Sequence, residues 1–130
     1  MKFLSRLKRV YFHTIAIPVL LIVLGSASNQ AVLIANHGTF PVQVNAEDIL
    51  THSDNPVLLK DGTIMLDNVH CVMTEKTHLN WLADIFNMHR AIMSIGDFLI
   101  DFGDRLWGFA PIVWGTLVVR KLWEEAEAKK

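Results

Sequence analysis

The stretch SIGDFLIDFGDRLWGF, residues 94–109, sets three aspartates and an arginine into a run otherwise apolar enough for a membrane. On a helix advancing about 100° per residue, Ser94, Asp97, Asp101, Asp104 and Arg105 fall in one arc roughly 100° wide. Ile95, Phe98, Leu99, Phe102 and Leu106 occupy the opposite side. Ser94 and Asp97 have the spacing of a capping box, in which the serine accepts a free backbone N–H and the acid three residues later serves the helix start. Asp101 and Arg105 stand i,i+4 with the acid first, the better orientation for an intrahelical ion pair. From Leu106 to Val119 the chain carries no charge. The spacing predicts a helix that begins at Ser94 and spans a membrane over 94–119, with an acidic stripe that must face protein or water rather than lipid.

A partner for the stripe is expected near the N-terminus. Val10 to Leu24 carries no Asp, Glu, Lys or Arg, with His13 its one residue that titrates in the neutral range, and after SASNQ the apolar character resumes to Ala35. The 26 residues from Val10 to Ala35 make a helix of roughly 39 Å at about 1.5 Å per residue, against a hydrocarbon core of about 30 Å. Pro18 bends such a helix, which membrane helices tolerate, and Asn36-His37-Gly38 stops it, because glycine accepts left-handed geometry. If both helices leave the surface at Asn36 and Ser94, then Ser26, Asn29 and Gln30 lie at the depth of Asp101, Asp104 and Arg105. The two polar faces would satisfy one another. The expected architecture is a mainly α membrane protein: a two-helix transmembrane hairpin (10–35 and 94–119) with a small mixed α/β extracytoplasmic cap over 36–93, a basic start over 1–9 and a charged tail over 120–130.

Charge placement sets the expected orientation. Lys2, Arg6, Lys8 and Arg9 precede the first apolar run, and Arg120, Lys121, Lys129 and Lys130 follow the second, diluted by Glu124, Glu125 and Glu127. The middle of the chain is acidic, so both termini are expected in the cytoplasm of a bacterial inner membrane. Trp107 and Trp123, with Arg120 and Lys121, read as interface anchors. A secretory signal competes with this reading: a basic start, a short apolar core and Gly25-Ser26-Ala27 as a cleavage site. Cleavage would leave AVLIA, residues 31–35, near a new N-terminus and in need of cover.

Between the apolar zones, FPVQV alternates as a strand does, AEDIL suggests a helical turn or two, and the turn signals DNP and KDG flank the apolar VLL. TIML and VHCVM read as paired short strands with Asp67-Asn68 at the bend. Leu79, Leu82 and Phe86 predict an amphipathic helix over 77–86, lying on the bilayer surface.

As to function, 130 residues allow one domain, and 52% hydrophobic against 19% charged residues is shifted toward lipid. A net charge of -1, with no basic run interleaved with aromatics, sets nucleic acid aside. Cys71 is the single cysteine, so no intramolecular disulfide forms, and packing is its expected role. Six histidines show none of the usual zinc spacings, and no metal or other cofactor is expected. Ser28, Ser53 and Ser94 lack a recognisable base and acid pattern, and nucleophile elbows and phosphate loops are absent. Gly96, Gly103, Gly108 and Gly115 allow close helix approach, or simply reflect the glycine content of membrane helices. The expected function is that of a non-enzymatic accessory or interaction protein of a bacterial or phage-encoded membrane system. Its expected partners are the lipid bilayer and either further copies, as a homo-oligomer, or another membrane protein. The alternatives are an oligomeric pore or proton- or ion-conducting protein using Asp97, Asp101 and Asp104, and a periplasmic binding domain released near Ala27.

GSASNQAVLIANHGTFPV and HCVMTEKTHLNWLADIFNMHRAIMSIGDFLIDFG resemble two signatures of an uncharacterised family of small bacterial multi-pass membrane proteins. The matching positions are Gly25, Asn29, Asn36, Gly38, Pro41 and Val42, then His70, Thr74, Thr77, Leu79, Leu82, Asp84, Ser94, Gly96, Asp97 and Gly103. Ser26 stands where the family usually has Asn, and Asp104-Arg105 departs from an otherwise apolar last helix. The resemblance implies an integral membrane protein with an extracytoplasmic connector, without cleavage at Ala27, and it carries no activity.

Overall fold

The computed structural model describes residues 9–45, 49, 55–88 and 91–128. The basic start before Arg9, most of AEDIL, the Asp54 of DNP, and Lys129 and Lys130 lie outside the described residues. Helix α1 runs Arg9–Ala35. Among the described residues six short strands follow: β1 (Phe40–Val42), β2 (Val57–Leu58), β3 (Ile64–Met65), β4 (His70–Val72), β5 (Phe86–Asn87) and β6 (Ile92–Met93). Helix α2 (Ile95–Glu127) completes the order. The chain divides into two compact units, Leu24–Leu99 and the described parts of Met1–Val23 with Ile100–Lys130.

Proline chemistry shapes the start of α1. Pro18 offers no N–H, and its ring conflicts with the carbonyl of Thr14 one turn back. The helix widens there into a π-helical segment, Phe12–Ala16, closed by the Ile17 N–H on the Phe12 carbonyl. The other end of α1 is a Schellman motif. The Gly38 N–H donates to the Leu33 carbonyl at 2.8 Å and the His37 N–H to Ile34 at 3.4 Å. His37 at φ 55 and Gly38 at φ 93 both take the left-handed turn, so the stop expected of glycine falls on two residues.

Four strands form one sheet in the order β1-β4-β3-β2, and β5 and β6 form a second. β1 pairs parallel with β4, with Pro41 opposite Cys71, while β4–β3 and β3–β2 are antiparallel. The bend between β3 and β4 is built by Asp67, as its turn chemistry predicts. Its Oδ1 accepts the N–H groups of Val69 and His70, both at 2.7 Å, and its Oδ2 meets His70 Nδ1 at 2.7 Å. Val32 of α1, fully buried, packs with Phe40 and Ala83 under Leu33, Met73, Leu79 and Leu82 to form the core of the 24–99 unit.

Two expectations are corrected. Among the described residues only α1 is long and apolar enough to cross a membrane, by length and composition, with a mean hydropathy of 2.0. In α2 the charge-free run Leu106–Val119 is fourteen residues, roughly 21 Å of helix against about 30 Å of hydrocarbon. Asp104 and Arg105 close one end of that run, Arg120 and Lys121 the other. The transmembrane hairpin is therefore replaced by one candidate span, a long C-terminal helix and two β-sheets. A cytoplasmic C-terminus, inferred from the second crossing, loses its basis. The amphipathic helix over 77–86 is also absent: Leu79 takes φ 55, one 3₁₀ turn covers Asn80–Leu82, and Phe86–Asn87 is strand. Backbone partners elsewhere compete for this segment. The Asn36 side chain engages the His78 N–H (2.7 Å) and carbonyl (2.8 Å), and β1 claims the Asp84 N–H and carbonyl through Pro41 and Gln43.

Candidate functional site

The start of α2 is a reciprocal capping box, as its spacing predicts. Asp97 N–H donates to Ser94 Oγ at 3.0 Å, and Ser94 N–H donates to Asp97 Oδ2 at 2.9 Å. Asn29 of α1 closes the arrangement. Ser94 Oγ donates to Asn29 Oδ1 at 2.9 Å, and Asn29 Nδ2 donates to Asp97 Oδ1 at 2.7 Å. Ser94 is wholly buried, so its hydroxyl depends on these partners. Close approach makes the knot feasible: a β-carbon on Gly96 would collide with the Asn29 side chain and lie 2.7 Å from the Gly25 carbonyl.

Asp84 stands behind this knot. Its backbone is fixed on both sides by β1, with its N–H on Pro41 (3.2 Å) and its carbonyl accepting from Gln43 (2.8 Å). Its side chain is buried, with the residue 6% exposed, and Oδ1 has no hydrogen-bond partner. Burial, then the neighbouring Asp97 carboxyl, pushes its pKa up to about 7, against a smaller opposing effect of His70. Asp84 also lines a cavity of about 160 Å³ with Val42, Leu66, Asp67, His70 and Ile92. Asp67, by contrast, is held down at about 2, chiefly by the backbone N–H of His70.

The remaining predicted residues lie apart from this centre. Ser26 and Gln30 are exposed, with neither seen among the partners of the acids, while Ser28 Oγ is buried and without a partner. Asp101 pairs with Arg105 at 2.7 Å, as the i,i+4 spacing predicts, but the pair is exposed, as is Asp104. The stripe thus divides: Ser94 and Asp97 turn inward, and the later charges outward. Trp107 is exposed. Trp123 donates to Glu127 at 2.7 Å, and Arg120 and Lys121 pair with Glu124 and Glu125. In the unit containing 100–130, Trp114 Nε1 donates to Thr14 Oγ1 at 3.1 Å, and a β-carbon on Gly103 would lie 2.9 Å from the Pro18 carbonyl. Cys71 is buried and its thiol pKa is raised by that burial, which suits packing rather than thiolate chemistry. Among the described residues, no group of three or more His, Cys, Asp or Glu could hold a metal ion.

From sequence Asn36 reads only as part of the helix stop and Asp84 only as a position shared with the resembled family, yet both organise this region. Asn36 is buried, with Nδ2 donating to Val32 and His78 and Oδ1 accepting from His78. Asp84 falls within the expected amphipathic helix, where an acid reads as a solvated position. A polar residue directly after an apolar helix was the available signal for Asn36. For Asp84 the signal is its place among the positions shared with the resembled family.

These features define a class: a small protein in which one helix capable of spanning a membrane is tied at its C-terminal end into a mixed β cap by a buried polar knot. The chain belongs to the family of unknown function DUF5317, whose model matches residues 9–106 and so includes α1, the cap and every member of the knot. No curated protein and no solved structure matches the chain.

Proposed function

We propose that this protein is a membrane-anchored accessory protein without enzymatic activity, in which α1 is a retained anchor and α2 presents an apolar surface to a partner. The observation that carries this reading is the solvent-facing apolar surface of α2, where Phe109, Ile112, Val119, Leu122 and Trp123 are all exposed. The charges flanking that surface are paired with neighbours one turn away, which lowers the cost of bringing a partner against it. Retention of α1, rather than its removal as a signal, is supported by packing within each unit. Cleavage at Ala27 would remove Pro18 and Gly25, whose carbonyls receive Gly103 and Gly96. The basic flank Lys2, Arg6, Lys8 and Arg9 favours a cytoplasmic N-terminal side, and the partner is a second copy or another membrane protein.

The pore reading draws less support. Asp101 is engaged by Arg105, and Asp84, whose pKa is pushed up to about 7, lies in the cap rather than in the stripe. The test is a photo-crosslinking residue at Ile112 in native membranes, with the intact mass of the extracted chain measured in parallel. The expected result is an uncleaved chain and one product of defined mass, containing a second copy or one membrane protein. A chain beginning after Ala27, or labelling of lipid alone, would overturn the reading.

A further inference from the structure

We propose that the cavity beside Asp84 binds a small primary ammonium ion, whose N–H groups donate to Asp84 Oδ1 while its short alkyl part lies against Val42, Leu66 and Ile92. The site does not depend on the anchoring role proposed above. A buried carboxylate oxygen without a partner is a costly feature, and here that oxygen belongs to a residue lining the cavity. The charges around it select a cation. Asp97 of α2 is near enough for its carboxyl to raise the pKa of Asp84, and Asp67 lines the same cavity from the β3–β4 bend. Among the described residues, His70 on β4 is the one lining group able to carry positive charge, and its Nδ1 is already engaged by Asp67. Asn29, the polar contact from α1, is neutral and bonded to Asp97 and Ser94.

Size and donor count favour an ammonium over a metal ion. Both Asp67 oxygens accept hydrogen bonds from the bend, so a metal would find little beyond Asp84. A liquid water occupies about 30 Å³, so the cavity, at about 160 Å³, has room for an alkylammonium of about two to four carbons. Charge balance is simple: the ammonium enters, and the proton held by Asp84 leaves to solvent. Binding therefore requires deprotonated Asp84. With its pKa near 7, affinity should be about tenfold weaker at pH 6 than at pH 8.

The test uses the full chain in detergent micelles and follows the methyl resonances of Ile92 and Leu66 during titration with ethylammonium chloride. Saturable shifts are expected, about tenfold weaker at pH 6 than at pH 8, and none with ethanol or with tetramethylammonium, which has no N–H to donate. Asp84→Asn, nearly isosteric, should abolish the response. If that variant fails to fold, Ile92→Phe, which fills the cavity and keeps the carboxyl pair, should abolish it instead. No saturable shift in the wild type, equal binding by tetramethylammonium, or unchanged affinity in a folded Asp84→Asn or Ile92→Phe would overturn the proposal.

Discussion

At His37 a side chain is held in the left-handed region, φ 55, where an L-residue with a β-carbon is disfavoured by about 1–2 kcal/mol. Glycine at that position would relieve the steric cost and lose part of the gain to its greater freedom in the unfolded chain. His37→Gly should therefore stabilise the fold by about 0.5–1 kcal/mol, read as a raised denaturation midpoint. The sequence placed the stop at Asn36-His37-Gly38 but assigned the unusual geometry to glycine alone. Local chemistry was legible wherever the partner lies within a few residues: the Ser94–Asp97 box, the Asp101–Arg105 pair and the Asp67 bend all form as their spacing predicts. Asn36 and Asp84 were not legible, because their environments are made by residues 78, 41 and 43, and no local pattern encodes those meetings.

Between elements, small residues rather than acids define where the helices approach. Within the 24–99 unit Gly96 of α2 lies against Gly25 and Asn29 of α1, and within the other unit Gly103 lies against Pro18 and Ile22. Gly108 and Gly115 face open space, with nothing near a built β-carbon. Alanine should therefore sort the four glycines. Gly96→Ala and Gly103→Ala should each destabilise by about 1–3 kcal/mol through overpacking. Gly108→Ala and Gly115→Ala should be neutral or stabilise by up to about 1 kcal/mol through helix propensity. Thermal melts of the four variants in one detergent check this directly. From sequence these glycines look alike, since the distinction depends on the register with α1. That register places Asn29 level with Ser94 and Asp97, whereas equal exit depths for Asn36 and Ser94 would set it against Asp101 and Asp104. The chain between β1 and β6 fills the difference. The antiparallel β3–β4 pair could be read from its turn, but the parallel β1–β4 pairing joins residues thirty apart and could not.

For the molecule as a whole, two carboxyl groups with opposite shifts shape stability against pH. Asp84, raised from 3.8 to about 7, binds its proton more tightly in the folded state. Its contribution is fully present below about pH 4 and is lost as pH rises to 7, at most roughly 4 kcal/mol. Asp67, lowered to about 2, contributes above pH 4, and this contribution disappears as pH falls toward 2. Unfolding midpoints should accordingly pass through a maximum near pH 4 and decline toward neutrality. Asp84→Asn should remove the decline, leaving only the acid limb. Among the described residues α1 is the helix whose length and hydropathy suffice for a crossing. Carbon-13 NMR of the Asp84 side-chain carboxyl through a pH titration tests the burial of Asp84 beside Asp97 most directly. The account predicts a midpoint near 7, carried by burial and by Asp97. A midpoint near 4, the value of an ordinary solvated aspartate, would contradict it.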